Sequence, residues 1–257
     1  MTFLEKILES RRRSVEAECA DPATLQSRVS SALPPRDFAA AVRAPGMSLI
    51  AEFKRASPSR GVLNEGLDPA VQARCYEAGG AAALSVLTEP EFFKGSAADL
   101  AAAREATQLP VLWKDFVIDP RQVLLARAWY ADAVLLIVRI LSDEMLGLLM
   151  HETHRLGMAA LVEVFDEKDL ARAADAGASI VGVNHRDLET FEEDPDATVR
   201  LRPLVPAGVA VVGESAISSR RDVEALESAG VDAVLVGEAL VRAEDAAARV
   251  RELLGRS

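Results

Sequence analysis

The sequence has 257 residues, of which 50% are hydrophobic and 5% aromatic, and its formal net charge at pH 7 is -11. This aliphatic content excludes a disordered chain, and the acidic charge disfavours nucleic-acid or anionic membrane partners. The N-terminal residues lack the apolar segment and cleavage site of a signal peptide, and no stretch of about 18 residues is apolar enough to span a membrane. Cys19 and Cys75 form no CxxC motif. We therefore expect a cytoplasmic protein with reduced thiols.

The chain begins with a predicted helix over residues 2–19, in which apolar residues recur at helical spacing between charged ones. Prolines and a glycine punctuate the next stretch, and a short helix is predicted over 36–43. From residue 48 the pattern changes to aliphatic runs of strand length, separated by alanine- and leucine-rich amphipathic stretches. The eight runs cover residues 48–53, 81–86, 110–114, 133–138, 159–164, 179–184, 209–214 and 232–237.

These runs are nearly continuous in their apolar character, which is typical of parallel strands covered on both faces. Several of the helical stretches between them end at a glycine, a common helix stop. Eight strands, each followed by a helix, predict an α/β protein with a (β/α)8 TIM barrel. We expect one domain over residues 1–257, with residues 1–46 as an N-terminal helical extension. The alternative, a doubly wound open sheet, would have fewer strands and a GxGxxG turn after the first strand, and this sequence has no such turn.

Polar residues interrupt or follow the predicted strands at the ends where barrels of this kind carry their active sites. A single buried charge is explained by a structural ion pair, but several on one rim favour a catalytic site. Lys54, Lys114 and Arg186 supply the positive charge that an anionic ligand would require from an acidic chain. A buried lysine near other cations is expected to have a lowered pKa and to donate a proton. The strand-end candidates are Glu52, Lys54, Ser57, Lys114, Glu163, Asn184, Arg186, Glu214 and Ser215.

Two short segments, GESA at 213–216 and GEAL at 237–240, are candidates for binding a phosphate. They follow the seventh and eighth strands, where barrels often bind phosphate with backbone N–H groups. Either segment alone is equally well an ordinary turn. Their positions together predict a phosphate site, with the candidate residues Lys54, Ser215, Ala216, Gly237 and Glu238.

Motifs along nearly the whole chain resemble, in order, those of the indole-3-glycerol phosphate synthase family. The most specific are EFKRASPS at 52–59, KDF at 114–116 and NHRDL at 184–188. The resemblance implies a carboxy-lyase of tryptophan biosynthesis. Such an enzyme closes the ring of 1-(2-carboxyphenylamino)-1-deoxyribulose 5-phosphate and releases carbon dioxide, water and indole-3-glycerol phosphate. It implies no metal and no organic cofactor.

The resemblance also implies residue roles. Lys114 matches the general acid that protonates the ketone, Glu163 an acid/base group for loss of the hydroxyl, and Glu52 a carboxylate that positions the lysine. Further catalytic or supporting positions match Lys54, Asn184 and Ser215. Ser57 and Arg186 resemble the site of the anthranilate carboxylate, Glu214 is a candidate substrate contact, and Phe93, in an apolar loop, is expected to pack on the aromatic ring or within a lid.

One position departs from the family pattern, because Ala216 stands where a glycine is usual. Its N–H is still available, but its Cβ would be strained if the backbone there required a positive φ. Strain at Ala216 would therefore alter the geometry of the phosphate site and leave the reaction itself unchanged.

Other suggestive residues have simpler interpretations. His151 and His154 lack the HExxH spacing of a zinc site and are expected on a solvated helix face. His185 is predicted to be a spacer at a strand end, and the basic run Arg11–Arg13 a solvated helix end.

Two other functions are compatible with a (β/α)8 barrel. One is a phosphosugar isomerase, and the other is a catalytically silent barrel that binds an anion or a protein partner. The complete set of candidate residues argues against both. The expected partner is a small phosphosugar substrate, and the chain is expected to be a monomer.

Overall fold

The computed structural model describes residues 2–58 and 60–256. Its centre is a closed barrel of eight parallel strands in the order β1-β10-β9-β8-β7-β6-β5-β4. The barrel strands are β1 (Ser48–Phe53), β4 (Ala83–Leu87), β5 (Val111–Lys114), β6 (Ala133–Ile137), β7 (Ala159–Val164), β8 (Ile180–Asn184), β9 (Ala210–Glu214) and β10 (Ala233–Val236). Two short strands, β2 (Ala56–Ser57) and β3 (Gly61–Val62), form an antiparallel hairpin after β1.

Helices surround the barrel, and most begin at a residue whose side chain accepts a hydrogen bond from the first turn. Asp119 and Ser219, for example, each form a reciprocal capping box. The helices are α1 (Phe3–Glu18), α2 (Pro22–Ser31), α3 (Phe38–Val42), α4 (Pro69–Gly79), α5 (Ala97–Ala106), α6 (Pro120–Ala128), α7 (Asp143–Arg155), α8 (Glu167–Asp175), α9 (Ala197–Leu201), α10 (Arg220–Ser228), α11 (Glu238–Val241) and α12 (Ala246–Leu253).

The hydrophobic core has two layers, because each barrel strand buries both of its faces. One layer lies between the strands and the helices and includes Leu49, Trp113 and Val181. The other fills the barrel and includes Ile50 and Leu161. The nearly continuous apolar character of the strands follows from this double burial.

The N-terminal segment covers both ends of the barrel. Phe38 and Val42 of α3 are buried in the interior layer, and the Ser48 hydroxyl at the start of β1 donates to the carbonyl of Ala41 over 2.9 Å. Leu4 and Ile7 of α1 are also buried, but at the opposite, carboxyl end, where they line a cavity. The extension is therefore part of the wall around the candidate site.

The predicted barrel is confirmed, and each predicted strand lies within two residues of the observed one. Helix α2 was not predicted, although Asp21 followed by Pro22 is a recognisable helix start. The hairpin β2–β3 was also missed, since its strands are too short to show a periodicity.

The prediction that Arg11–Arg13 form a solvated helix end was wrong for Arg11. Its side chain is 1% exposed, and its guanidinium donates to Asp115 over 2.8 Å and to Glu18 over 3.0 Å. Helix periodicity cannot distinguish a buried arginine from an exposed one, because only the packing of α1 over the strand ends brings Asp115 to it. In the described part of the chain, no helix is long and apolar enough to cross a membrane.

Candidate active site

A cavity of about 710 Å³ opens at the carboxyl ends of the barrel strands. Phe3, Leu4 and Ile7 of α1 lie on its outer wall, and strand-end residues line its base. All thirteen residues predicted for the site line this one cavity: Glu52, Lys54, Ser57, Phe93, Lys114, Glu163, Asn184, Arg186, Glu214, Ser215, Ala216, Gly237 and Glu238. Parallel strands bring their carboxyl ends to one rim of a closed barrel, which explains why residues far apart in sequence meet there.

Lys114 is the centre of a charged cluster at the base of the cavity. Its Nζ lies 3.4 Å from Glu163 Oε2 and 3.4 Å from Glu214 Oε2. A second pair lies beside it, in which Lys54 Nζ donates to Glu52 Oε1 over 2.6 Å. Both ammonium groups are 14% exposed, whereas the three carboxylates are at most 7% exposed. The two ammonium groups are therefore more accessible from the cavity than the carboxylates that they contact.

The expectation of a lowered lysine pKa was wrong for Lys114. Burial works against its charge, but the carboxylates of Glu214, Glu163 and Glu52 together outweigh burial and raise the pKa of the ammonium. The nearest charges are acids contributed by three other strands, and the sequence did not show that they would surround this lysine. Lys114 is therefore held protonated at neutral pH.

The two acids that flank the lysines have pKa values shifted in opposite directions. Burial, reinforced by the charges of Glu163 and Glu52, raises the pKa of Glu214 to about 8 against the opposing effect of Lys114. Burial also penalises the Glu52 carboxylate, but Lys54 and Lys114 outweigh it and lower the pKa of Glu52. At neutral pH one acid is mainly protonated while the other is ionised, a separation that suits acid–base chemistry.

Three carboxylate oxygens at the base of the cavity are buried without a hydrogen-bond partner among residues 2–58 and 60–256: Glu163 Oε1 and both oxygens of Glu214. Unsatisfied buried acceptors are rare, and when they line a cavity they are ready to accept from a hydroxyl or an N–H of a ligand.

Two glycines that lie beside these acids make room for them. A Cβ on Gly182 would lie 2.0 Å from Glu214 Oε1, and a Cβ on Gly237 would lie 2.4 Å from Glu52 Oε1 and 2.9 Å from Lys54 Nζ. The sequence prediction attributed Gly237 to phosphate binding alone and did not include Gly182. Neither packing requirement is visible until the strands are placed side by side.

The opposite side of the cavity is formed mainly by backbone. Ser215 and Ala216 have φ values of 65° and 52°, so both occupy the left-handed region. A residue with a Cβ pays about 1–3 kcal/mol for such a conformation. The concern raised by Ala216 is therefore confirmed: its position does require a positive φ, and the chain tolerates the strain there.

Cations gather around this backbone. Glu238, at the start of α11, forms ion pairs with Arg60 over 3.4 Å and with Arg242 over 3.2 Å. Its own carboxylate is thereby engaged by two arginines. Arg60 and Arg242 also line the cavity, although they were not among the predicted residues. No strand-end position marked them in the sequence.

Arg186 lies on the rim between the two sides. Its guanidinium pairs with Glu193 over 2.5 Å, and its backbone N–H donates to Asn184 Oδ1 over 3.0 Å. Ser57, in the hairpin β2–β3, is buried on the cavity wall. These contacts hold a planar cation at the cavity edge, where a carboxylate of a ligand could meet it.

An aromatic cluster closes the mouth of the cavity. The ring of Phe3 lies 5.2 Å from that of Phe92 and 5.3 Å from that of Phe191, and Phe93 packs 6.2 Å from Phe116. The loop that carries Phe92 and Phe93 is held by the side chain of Glu89, whose carboxylate accepts from the backbone N–H groups of residues 91–93. Phe93 lines the cavity and also packs against Phe116.

The histidines lie away from the cavity surface. His151 and His154 are exposed on α7, and no group of metal-ligating side chains occurs within the described residues. His185 is more than a spacer: it is 3% exposed and its ring bonds to the Ser215 carbonyl and to Thr198 Oγ1. Its strand-end position was visible in the sequence, but its partners were not.

A closed parallel barrel with a cluster of buried ionisable side chains in a cavity at its carboxyl end defines a (β/α)8-barrel protein with a candidate acid–base site. Solved structures share this fold at low sequence identity. A 3-hexulose-6-phosphate synthase from Salmonella typhimurium superposes with a TM-score of 0.64 at 18% identity, covering 81% of this chain and 97% of that one. A thiamine phosphate pyrophosphorylase from Pyrococcus furiosus does so with a TM-score of 0.62 at 17% identity, covering 82% of this chain and 95% of the other.

The sequence comparisons identify the particular family. The family model for indole-3-glycerol phosphate synthase matches residues 4–253. A relative from Streptomyces coelicolor named indole-3-glycerol phosphate synthase 2 is 50% identical, covering 95% of this chain and 93% of its own. A Roseiflexus indole-3-glycerol phosphate synthase is 49% identical over 100% of this chain and 99% of its own. The chain belongs to the indole-3-glycerol phosphate synthase family, and the resemblance found in its motifs is confirmed.

Proposed function

We propose that this cavity catalyses the indole-3-glycerol phosphate synthase reaction, with Lys114 as the general acid. The observation that carries the proposal is the position of its ammonium, at the base of a cavity and within 3.4 Å of two buried carboxylates. The family membership supports a carboxy-lyase of tryptophan biosynthesis that acts on a phosphosugar. The assignment of individual residues below rests on the geometry.

Ring closure joins the aryl carbon that bears the carboxylate to the ketone carbon of the sugar chain. The ketone oxygen gains negative charge as this bond forms, and Lys114 stabilises it and donates the proton. Carbon dioxide then leaves with cleavage of its bond to the ring, and the electron pair returns to the aromatic system. A lysine held protonated by its neighbours is suited to this first step.

Loss of the new hydroxyl as water needs a proton for the leaving group and a base for the proton that leaves the ring CH2 carbon next to nitrogen. Glu163 is assigned to acid–base work in this step, since its unpartnered Oε1 faces the region beside Lys114. Glu52 holds Lys54 at 2.6 Å and keeps it directed at the substrate. Glu214, largely protonated at neutral pH, is assigned as a substrate contact.

The two anionic ends of the substrate are assigned to opposite walls. Arg186 and Ser57 receive the anthranilate carboxylate, Asn184 orients the substrate beside them, and Phe93 packs on the aromatic ring. The phosphate is assigned to Lys54 and to the N–H groups of Ser215, Ala216, Gly237 and Glu238. Binding the non-reacting phosphate fixes the position of the reacting carbons.

The decisive assay incubates the protein with 1-(2-carboxyphenylamino)-1-deoxyribulose 5-phosphate and follows indole fluorescence together with release of carbon dioxide. We expect both signals to appear in equal amounts. An isomerised product without carbon dioxide would instead identify a phosphosugar isomerase, the alternative function on this fold.

The role of Lys114 is tested by Lys114→Ala in the same assay. Turnover is expected to fall by about 10²-fold or more, as for the loss of a general acid. The exposed Lys168 on α8 provides a matched control, and Lys168→Ala should retain wild-type turnover. Near-normal turnover in a folded Lys114→Ala protein would contradict the assignment.

We further infer that the enzyme acts as a cytoplasmic monomer without a metal or organic cofactor. Free Cys19 and Cys75 suit a reducing compartment, and the acid–base groups account for each proton transfer. Sedimentation of the purified protein, cell fractionation, and an assay in the presence of a chelator test these three points. The mass of a dimer would overturn the monomeric state, and secretion of the protein would overturn the cytoplasmic location. Loss of turnover with the chelator would overturn the inference that no metal is needed.

A further inference from the structure

The turn formed by Ser215 and Ala216 is unusual in its backbone. These two residues are the one consecutive pair with positive φ among the non-glycine residues that the structure describes. Such conformations persist only where the surrounding structure holds them in place. The turn lines the cavity, so whatever holds it also sets the direction of its N–H groups.

His185 lies directly behind this turn and contacts it from outside the cavity. Its Nδ1 is 3.1 Å from the carbonyl oxygen of Ser215, and its Nε2 is 2.5 Å from Thr198 Oγ1. The histidine is 3% exposed and Thr198 of α9 is fully buried. His185 does not line the cavity and therefore has no path to a bound substrate.

The partners define the protonation of the ring. A carbonyl oxygen can only accept, so Nδ1 carries the hydrogen and donates it to Ser215. In a neutral imidazole Nε2 is then an acceptor, and it takes its hydrogen bond from the Thr198 hydroxyl. Burial lowers the pKa of His185 and outweighs its hydrogen bond to Ser215 and the acids nearby, which agrees with a neutral ring.

We propose that His185 and Thr198 are positioning residues, which hold the Ser215–Ala216 turn in its left-handed conformation so that its N–H groups face the substrate phosphate. The proposal rests on the assignment of this turn to phosphate binding made above. It assigns His185 a role in substrate affinity and none in proton transfer. It also explains how the chain tolerates a Cβ at Ala216, since the hydrogen bond behind the turn offsets the backbone strain.

The first test is His185→Ala, with KM and kcat measured separately. We expect KM to rise about tenfold, as for the loss of one buried hydrogen bond, while kcat changes less than about twofold. A fall in kcat with KM unchanged would indicate a catalytic or global role and would overturn the proposal. An unchanged KM in a folded variant would also overturn it.

Conservative variants separate positioning from mere packing. His185→Asn places an amide N–H near the position of Nδ1 and should recover most of the lost affinity. Thr198→Ser keeps the hydroxyl and should behave like wild type, whereas Thr198→Val should raise KM about threefold. Equal effects of the serine and valine variants would show that the hydroxyl is irrelevant.

The sharpest test uses Ala216→Gly, because glycine adopts a positive φ without strain. In the Ala216→Gly background, His185→Ala should raise KM less than about threefold, compared with about tenfold in the wild-type background. The same tenfold loss in both backgrounds would show that His185 does not act through the strain of this turn.

Calorimetric titration with inorganic phosphate makes the result independent of turnover. We expect His185→Ala to weaken phosphate binding by the same factor as it raises KM. If the wild-type protein bound phosphate but did not turn over the substrate, the proposed reaction would fail while the role of His185 would still be tested. Equal phosphate affinity in wild type and His185→Ala would reject the positioning role alone.

Discussion

The two sides of the cavity are built from different parts of the chain. The proposed acid–base side consists of side chains fixed on strands, where Lys114 Nζ lies 3.4 Å from a carboxylate oxygen of Glu163 and 3.4 Å from one of Glu214. The side that we propose binds the phosphate includes the backbone of the loops after β9 and β10, where Ser215 and Ala216 adopt strained conformations.

The two sides are suited to different functions, acid–base chemistry and anion binding. Acid–base chemistry requires charges whose pKa values are set by their neighbours, and a barrel interior supplies the necessary burial and proximity. Anion binding requires several N–H groups pointed at one place, and irregular turns and helix N-termini provide them. We therefore expect changes on the first side to act mainly on kcat and changes on the second mainly on KM.

Besides Lys114→Ala, the largest effect is expected from Glu163→Gln on the acid–base side. The amide has the same shape but cannot exchange a proton, so kcat should fall about 10²-fold while KM changes little. Steady-state kinetics with the ribulose phosphate substrate measure both. Glu224→Gln on the exposed surface of α10 is the matched control, and it should leave both constants unchanged. A rise in KM alone for Glu163→Gln would indicate that Glu163 acts in substrate binding. The expected division, with kcat effects on one side of the cavity and KM effects on the other, would then be wrong.

A second prediction concerns pH and Glu214. Below about pH 8 this carboxyl is mainly protonated, and as the pH rises through 8 it gains a negative charge beside Lys114 and Glu163. The added charge repels the anionic substrate and makes Lys114 a weaker acid, so kcat/KM should fall up to about tenfold per pH unit above 8.

Glu214→Gln fixes this position in a neutral form and should remove the alkaline fall. The pH profile of kcat/KM from pH 6 to 9.5 shows the difference directly, with about pH 8 as the midpoint taken from Glu214. Superimposable profiles for the two proteins would show that Glu214 does not control the alkaline limb.

The smallest effect is expected at the rim, from Arg186→Ala. Loss of a charge-assisted contact to the substrate carboxylate should raise KM about fivefold to tenfold and leave kcat nearly unchanged. Arg186→Lys keeps the charge but loses the planar guanidinium, and an intermediate KM is expected. If affinity for the substrate were unchanged in Arg186→Ala, the carboxylate site would have to lie elsewhere on the wall.

The contrast between the two sides also explains which parts of the site were predictable. Glu52, Lys114 and Glu163 are conspicuous because each is a charge in or next to an apolar run. The contributions of Arg60, Arg242 and Gly182 leave no such signal, since they depend on which loop or strand lies beside which. The direction of the Lys114 pKa shift was mispredicted for the same reason: the acids that surround it come from separate strands.

By itself, the sequence determined the eight-strand repeat, the helix stops and the order of the catalytic motifs, because apolar periodicity and residue type are local properties. Only the tertiary structure decided that α1 covers the cavity, that Arg11 is buried against Asp115, and that His185 supports the Ser215–Ala216 turn. Arg11 and Asp115 are 104 residues apart in the sequence, and closure of the barrel is the physical event that brings such distant segments together.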